Sequence, residues 1–95
     1  MFLVVSRWQA KPGMEEEFRR VGQSMRSELR AQPGVELVEG FLSGDTVVAV
    51  HGYSDEAAYQ RIVQDPNGPF AAAAAKHGIE DVATWIGSDS GSTEP

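Results

Sequence analysis

Residues 35–53 contain the hairpin that decides the fold, and they read VELVEGFLSGDTVVAVHGY. The first arm carries Glu36 and Glu39 among its apolar residues, whereas most of the second arm, residues 46–50, is an unbroken apolar run. Such a run is typical of a strand that is buried on both faces. Gly44 in the intervening turn can adopt a positive φ. A strand buried on both faces needs a covering layer on each side, and a chain this short cannot supply both.

The composition excludes several classes of protein. The chain has 95 residues, enough for one domain, and a domain of this size buries only roughly 60–65% of its unfolded surface. A net charge of −6 argues against a nucleic-acid partner, and the absence of cysteine excludes disulfides and thiolate metal sites. No apolar stretch approaches the roughly 20 residues of a membrane span, and Arg7 interrupts the N-terminus too early for a secretory signal. We therefore expect a cytoplasmic protein that binds neither nucleic acid nor membrane.

Hydrophobic periodicity predicts further elements on both sides of the hairpin. The first ten residues are rich in β-branched and aromatic side chains, as in a strand. Apolar residues then recur at spacings of three and four, as on one face of a helix. The predicted elements are a strand at 1–10, a helix at 14–32, a helix at 54–63, an alanine-rich helical piece at 70–76 and a strand at 81–87.

The order strand, helix, strand, strand, helix, strand predicts an α+β fold. With right-handed crossovers it gives a ferredoxin-like split βαβ with a four-stranded antiparallel sheet, in which strands one and three are central. We expect residues 1–87 to form this single domain and residues 88–95 to form a flexible C-terminal tail. Both helices must cover one sheet face. The other face is expected to pack on a second copy, which gives a homodimer, a dimeric α+β barrel.

Several short motifs resemble the antibiotic biosynthesis monooxygenase family, whose members are small dimeric α+β barrels. The first strand runs into Lys-Pro-Gly at 11–13, and the first helix ends in Gln-Pro-Gly at 32–34. The third strand passes through His-Gly-Tyr into Ser-Asp-Glu-Ala at 51–57, and a proline-broken second helix ends near a histidine. The resemblance extends over about residues 2–87.

The resemblance implies one of two chemistries. Some members oxygenate quinols or phenols without a metal or prosthetic group, because the substrate loses a proton in an apolar pocket and reacts with dioxygen itself. Others bind and degrade haem with an asparagine on strand one, a tryptophan on helix two and a following histidine. Those positions fall at Ser6, at Arg61 or Ile62, and near Ala74, with His77 about one turn later. The first chemistry is favoured because two of these three positions lack the haem-degrading residue.

The candidate catalytic residues are His77, His51 and Ser6. Neutral imidazole can act as a general base near pH 7, so either histidine could deprotonate a phenol. Ser6 matches a pocket position of the family. Each residue also has a structural alternative: His77 at an exposed helix end, His51 in a backbone hydrogen bond, and Ser6 as an ordinary strand residue.

The candidate substrate-binding residues are Trp8, Tyr59 and Phe70, which could confine an aromatic ring. Packing in the core or at a dimer interface is the alternative for Trp8. We expect the pocket to lie beneath residues 71–75, between the sheet and the helices. Two histidines far apart in sequence do not predict a metal site, so none is expected.

The resemblance therefore implies a cofactor-independent monooxygenase that acts on a small aromatic quinol or phenol. The first alternative is a haem-binding relative, with or without haem degradation. The second is a non-catalytic dimeric protein that senses or carries a small apolar molecule.

Overall fold

The computed structural model describes all residues from 1 to 95 and consists of four strands packed against a layer of helices. The strands are β1 (Phe2–Ala10), β2 (Val35–Ser43), β3 (Thr46–Tyr53) and β4 (Ala83–Ser92). The helices are α1 (Glu15–Arg30), α2 (Glu56–Tyr59), α3 (Pro69–His77) and α4 (Ile79–Val82), and a π-helical segment (Gln60–Gln64) continues α2. None of these helices combines the length and the apolar character needed to cross a membrane.

The sheet has the strand order β2-β3-β1-β4, and every neighbouring pair is antiparallel. Strands β1 and β3 are therefore central, as the sequence predicts, and the charged strands lie at the edges. This arrangement confirms the α+β ferredoxin-like fold.

Alternation along the central strands separates a helix-covered face from an open face. In β1, Phe2 and Val4 are buried beneath the helices, whereas Leu3 and Val5 point the other way and are half-buried. The register between β1 and β3 pairs Phe2 with Tyr53 and Val5 with Val50, so each face continues across both strands. The centre of the open face, at Leu3, Val5 and Val50, is apolar, and Arg7, Glu39 and Asp89 lie around it.

The helix-covered face holds two clusters of buried side chains, and α1 contributes to both. Leu29 belongs to a cluster that includes Tyr53 and Ile62. Phe18 and Met25 belong to a second cluster. All three α1 residues lie on the stripe spaced by three and four residues that the sequence predicts, which explains why α1 extends across the sheet.

Local signals set the ends of the shorter helices. Asp55 caps α2, because its side chain accepts a hydrogen bond from the Ala58 backbone N–H at 2.8 Å. Gly78 has a φ of +71° and joins α3 to α4, a turn that favours glycine. The four-residue helix α4 was not predicted from the sequence, since Asp81 was placed in the last strand.

The last strand is longer than the sequence predicts. It runs from Ala83 to Ser92, so residues 88–92, expected to begin a flexible tail, pair with β1. Thr93 also donates a backbone hydrogen bond to the Met1 carbonyl at 2.9 Å. The segment has no apolar alternation to reveal it, because main-chain pairing with β1 holds it in place. The ion pair between Arg7 and Asp89 at 3.3 Å is solvent-exposed and adds little. The predicted boundary at residue 87 is therefore wrong.

Candidate functional site

The main cavity lies between the sheet and α1 and has a volume of about 360 Å³. This volume is in the range of small-molecule sites in proteins. Thirteen of its nineteen lining residues are hydrophobic, so a ligand there would contact a mostly apolar wall. The polar or ionisable side chains in the lining are those of Ser6, Trp8, Arg26, His51, Tyr53, Tyr59, Glu80, Trp85 and Ser88.

Aromatic side chains form part of the cavity wall. The ring of Tyr59 stacks on Phe2 with a centroid distance of 5.0 Å, and its centroid lies 5.5 Å from that of Tyr53. Tyr59 can reach the sheet because α2 begins just after β3, which carries Tyr53. Phe70, at the start of α3, adds another ring to the lining. The site is therefore suited to a flat apolar molecule.

His51 provides the cavity with an imidazole. It lies on β3, on the same face as Tyr53, and its Nδ1 is 3.0 Å from the Tyr53 hydroxyl oxygen. Burial, together with the charge of Arg26, lowers the pKa of His51 to about 4. Burial, with a smaller contribution from Tyr59, raises the pKa of Tyr53. At pH 7 the cavity therefore holds a neutral imidazole and a protonated phenol.

Arg26 is the functional candidate that the sequence analysis missed. It projects from α1 into the cavity lining. Burial, followed by the charge of Arg30, lowers the pKa of Arg26, while Glu39 acts in the opposite direction; an arginine nevertheless stays charged at neutral pH. The available signal was Gly22, four residues earlier, because a glycine inside a helix often marks a close approach.

Both tryptophans border the cavity, and each indole has a serine partner. The Trp8 Nε1–H donates to the Ser6 hydroxyl oxygen at 3.2 Å, and the Trp85 Nε1–H donates to the Ser88 hydroxyl oxygen at 2.9 Å. Trp8 is half-buried, whereas Trp85 is 57% exposed. Ser6 therefore lies in the cavity as the resemblance implies, where it also accepts a hydrogen bond from Trp8.

His77 lies outside this cavity. Its Nε2 is 2.9 Å from Glu28 Oε2, and Lys76 Nζ donates to Glu28 Oε1 at 2.9 Å. The hydrogen bond from Lys76, and then that from His77, lowers the pKa of Glu28. The carboxylate on α1 thus connects to two side chains at the end of α3.

The structure brings five of the six predicted site residues to one cavity and leaves one elsewhere. The five that line the cavity are Ser6, Trp8, His51, Tyr59 and Phe70. The alanine-rich segment at 71–75 does not line it, because Ala73 is 4% exposed and packs against Phe18 and Met25. The predicted position of the aromatic-lined pocket beneath these alanines is therefore wrong; Ala72 and Ala73 instead border a separate cleft of about 350 Å³ between α1 and α3.

No group of three or more histidine, aspartate and glutamate side chains is arranged to hold a metal ion. The positions that the resemblance relates to haem degradation are also separated here. Ser6 lines the cavity, Arg61 donates to the Pro33 carbonyl at 3.1 Å on an exposed surface, and Ile62 is buried in the core.

A ferredoxin-like sheet with a largely apolar cavity beneath its helices places the chain in the class of small α+β proteins with a ferredoxin-like fold. Within this class, the family model of antibiotic biosynthesis monooxygenases matches residues 1–76. The chain belongs to the antibiotic biosynthesis monooxygenase family.

Solved structures share this fold across nearly the whole chain. SnoaB from Streptomyces nogalater, described as a cofactor-independent oxygenase, has a TM-score of 0.80 at 18% identity, with 99% of this chain and 93% of that chain covered. Rv0793 from Mycobacterium tuberculosis has a TM-score of 0.78 at 17% identity, with coverage of 99% and 95%. PA3566 from Pseudomonas aeruginosa has a TM-score of 0.77 at 16% identity, with coverage of 99% and 94%. At these identities the likeness shows the fold alone. A comparison with curated protein sequences found no match.

Proposed function

We propose that this protein is a monooxygenase that oxidises a small aromatic quinol or phenol with dioxygen and without a cofactor. The observation that carries the proposal is the apolar cavity of about 360 Å³, in which a few polar groups meet an aromatic wall. Membership of the monooxygenase family supports the reaction class. The description of SnoaB as cofactor-independent favours chemistry without a prosthetic group and gives no support to the haem alternative.

The cavity would bind the substrate ring between its aromatic side chains. Trp8, Tyr59 and Phe70 line it from β1, α2 and α3, so they can confine a flat ring from three elements. Ser6 and His51 supply polar atoms within the same lining. Exclusion of water strengthens every electrostatic contact with the substrate oxygen.

The substrate supplies all the electrons for the proposed reaction. An ionised phenol transfers an electron to dioxygen, and the resulting radical pair joins by a carbon–oxygen bond to give a ring peroxide. Loss of the ring proton from that carbon and cleavage of the oxygen–oxygen bond then give a quinone and hydroxide. The hydroxide takes up the proton released from the phenol and leaves as water. One oxygen atom thus enters the product and the other is reduced.

An oxygen electrode tests this proposal directly. The purified protein should consume dioxygen in the presence of a hydroquinone or an anthrone, with a metal chelator in the buffer. His51→Ala should lower the rate, because it removes the imidazole from the cavity. His77→Ala is the matched control and should retain the rate, because His77 contacts Glu28 away from the cavity. Loss of activity only in His77→Ala would contradict the placement of the site.

The remaining outcomes identify the alternatives. Aromatic compounds that raise the melting temperature without any oxygen uptake would overturn the enzyme proposal in favour of a carrier or sensor. A saturable Soret shift on haem addition, one per subunit and lost in His77→Ala, would support the haem alternative instead.

We also propose that the open sheet face is covered by a second copy of the chain. Leu3, Val5 and Val50 on this face are only half-buried in the single chain, although all three are aliphatic. A homodimer with two-fold symmetry would bury both faces at once. A cytoplasmic location remains part of the proposal and rests on the sequence features given above.

A further inference from the structure

Arg26 is partly buried, yet its guanidinium has no acidic or carbonyl partner; the other arginine without such a partner, Arg19, is exposed to solvent. Arg7 pairs with Asp89, and Arg20 pairs with Glu17. Arg30 donates to the Val38 carbonyl and also lies 3.9 Å from Glu39, and Arg61 donates to the Pro33 carbonyl. None of the five ion pairs involves Arg26. A partly buried cation without a partner is unfavourable unless something else supplies the opposite charge.

Two glycines make room for this guanidinium. A Cβ atom built on Gly22 of α1 would lie 3.1 Å from Arg26 Nη1, and one built on Gly40 of β2 would lie equally close. Any larger residue at either position would press on the guanidinium. Gly40 also pairs with Ala49 on β3, so the strand next to Gly40 carries a small side chain that lines the cavity. Gly22 and Gly40 thus lie against the Arg26 guanidinium, and Ala49 adds a small side chain next to Gly40.

His51 follows Ala49 on the same face of β3, and its hydrogen bond indicates which ring nitrogen carries the proton. Tyr53 is fully buried, and its hydroxyl group has His51 Nδ1 as its hydrogen-bond partner. A buried phenol that stays protonated must donate to an acceptor, so the Tyr53 O–H donates to Nδ1. We therefore assign the imidazole proton to Nε2. This leaves an N–H donor, and no lone pair, available to a ligand in the cavity.

We propose that Arg26 and the Nε2–H of His51 together bind the ionised oxygen of an aromatic substrate, so that the site selects phenolates over neutral phenols. This inference rests on the proposed function, because it names the substrate form that the same cavity takes. In it, His51 donates a hydrogen bond to the substrate oxygen instead of acting as the base that the sequence analysis predicted. A charge-assisted hydrogen bond from arginine is stronger than a neutral one, and mostly apolar surroundings strengthen it further.

The charges around the cavity are compatible with one bound anion. Arg26 contributes a positive charge, and His51 is neutral at pH 7. Glu80 borders the cavity from α4 with an exposed side chain, and Glu39, which also interacts with Arg26, is 3.9 Å from Arg30. Neither carboxylate forms an ion pair with Arg26, so the guanidinium remains available to a ligand.

The test uses 4-nitrophenol, whose neutral and ionised forms have different absorption spectra. The complete protein is titrated with 4-nitrophenol near the pH at which half of the free ligand is ionised. In the ligand bound to wild-type protein, the ratio of phenolate to neutral phenol should be about tenfold higher than in the free ligand. Arg26→Gln should abolish most of that shift. Arg19→Gln, an exposed position on the same helix, makes the same change in net charge and should keep the shift.

Two further measurements keep the test decisive. 4-Nitroanisole has nearly the same shape as 4-nitrophenol but cannot ionise. Wild-type protein should therefore bind 4-nitroanisole more weakly than 4-nitrophenol, whereas Arg26→Gln should bind the two compounds about equally. If Arg26→Gln does not fold, Gly40→Val replaces it, because its side chain would displace the guanidinium while the charge is kept. Circular dichroism verifies the fold of each variant.

Equal affinity of wild-type protein for 4-nitrophenol and 4-nitroanisole would overturn the proposal, as would a phenolate shift that survives in Arg26→Gln. Failure to bind 4-nitrophenol in either form would also overturn it. These readouts involve no oxygen uptake. A protein that binds phenolate but consumes no dioxygen would refute the monooxygenase proposal and leave this inference standing. An active enzyme without a preference for phenolate would refute this inference and leave the monooxygenase proposal standing.

Discussion

His51 makes stability depend on pH, because its imidazole is largely shielded from water in the folded chain and exposed in the unfolded one. The folded pKa is about 4, against an ordinary value of 6.5. The unfolded state therefore binds the proton first as the pH falls, which lowers stability from about pH 6.5 down to about pH 4. At about 1.4 kcal/mol per pKa unit, the loss amounts to roughly 3 kcal/mol.

This expectation is checked by urea unfolding of wild-type protein and His51→Gln at pH 7 and near pH 4.5. Carboxylates titrate in both proteins, so their contribution cancels in the comparison. His51→Gln should lose less stability on acidification than wild-type protein. Equal losses would show that the imidazole is not held neutral by its surroundings.

Gly68 occupies a position where any side chain would collide with backbone. A Cβ atom there would lie 2.6 Å from the Arg61 carbonyl oxygen and 3.1 Å from the Asp65 carbonyl oxygen. Gly68→Ala should therefore lower the free energy of unfolding by about 1–3 kcal/mol. Gly87→Ala is the control, since a Cβ atom at Gly87 meets nothing within 4 Å. Equal thermal stability of the two variants would refute the predicted clash.

Residue types and alternation were enough to indicate most of the cavity wall. Trp8 and Ser6 lie two residues apart on a strand, so they share a face, and Tyr59 follows the cap at Asp55 by one helical turn. Arg26 could not be selected in the same way, because a charged residue on an amphipathic helix is usually solvated. Its role depends on Gly40, which comes close to it only when β2 packs beside α1.

Helix α3 is connected to α1 by two polar contacts to a single carboxylate. Glu28 accepts from Lys76 and lies within hydrogen-bond distance of His77. Glu28→Ala removes both contacts, so amide exchange in α3 should become faster. Ligand binding in the main cavity should change little, since neither Glu28 nor His77 lines it. Glu16→Ala, which removes an exposed acid from the first turn of the same helix, is the control for a simple change in charge.

Elements with apolar periodicity were predictable, and those held by the main chain were not. The spacing of Phe18, Met25 and Leu29 was enough to predict helix α1, because apolar residues three and four positions apart form one face of a helix, which is buried against the core. The end of β4 carries the residues Ser-Asp-Ser-Gly-Ser, which show no alternation at all. Its pairing follows from the open edge of β1, a property of the assembled sheet that no local sequence pattern expresses.

The apolar sheet face predicts the behaviour of the whole molecule in solution. Val50 and Val5 pair at the centre of this face and are half-buried in the single chain. A stable dimer buries roughly 800 Å² per partner, so a carboxylate at the centre would lose its water. Val50→Asp should weaken self-association roughly 100-fold, because the interface would remove the new carboxylate from water and place it beside Glu39, with which Val50 pairs.

Sedimentation equilibrium measures this effect. Wild-type protein should sediment as a dimer at micromolar concentration, and Val50→Asp should sediment as a monomer with an unchanged circular dichroism spectrum. Gln23→Asp, an exposed position on the helix side, is the matched control and should remain dimeric. A stably folded wild-type monomer at micromolar concentration would contradict the proposed dimer.

Intrinsic tryptophan fluorescence reports directly on the cavity. The chain contains Trp8 and Trp85 and no other tryptophan, and both border the cavity. All indole emission therefore originates at the candidate site, from one half-buried and one largely exposed ring. A quinone or nitroaromatic compound that enters should quench this emission without any attached dye. Libraries of unlabelled compounds can thus be screened against the unmodified protein, and single replacements of either indole would report which side of the cavity a compound occupies.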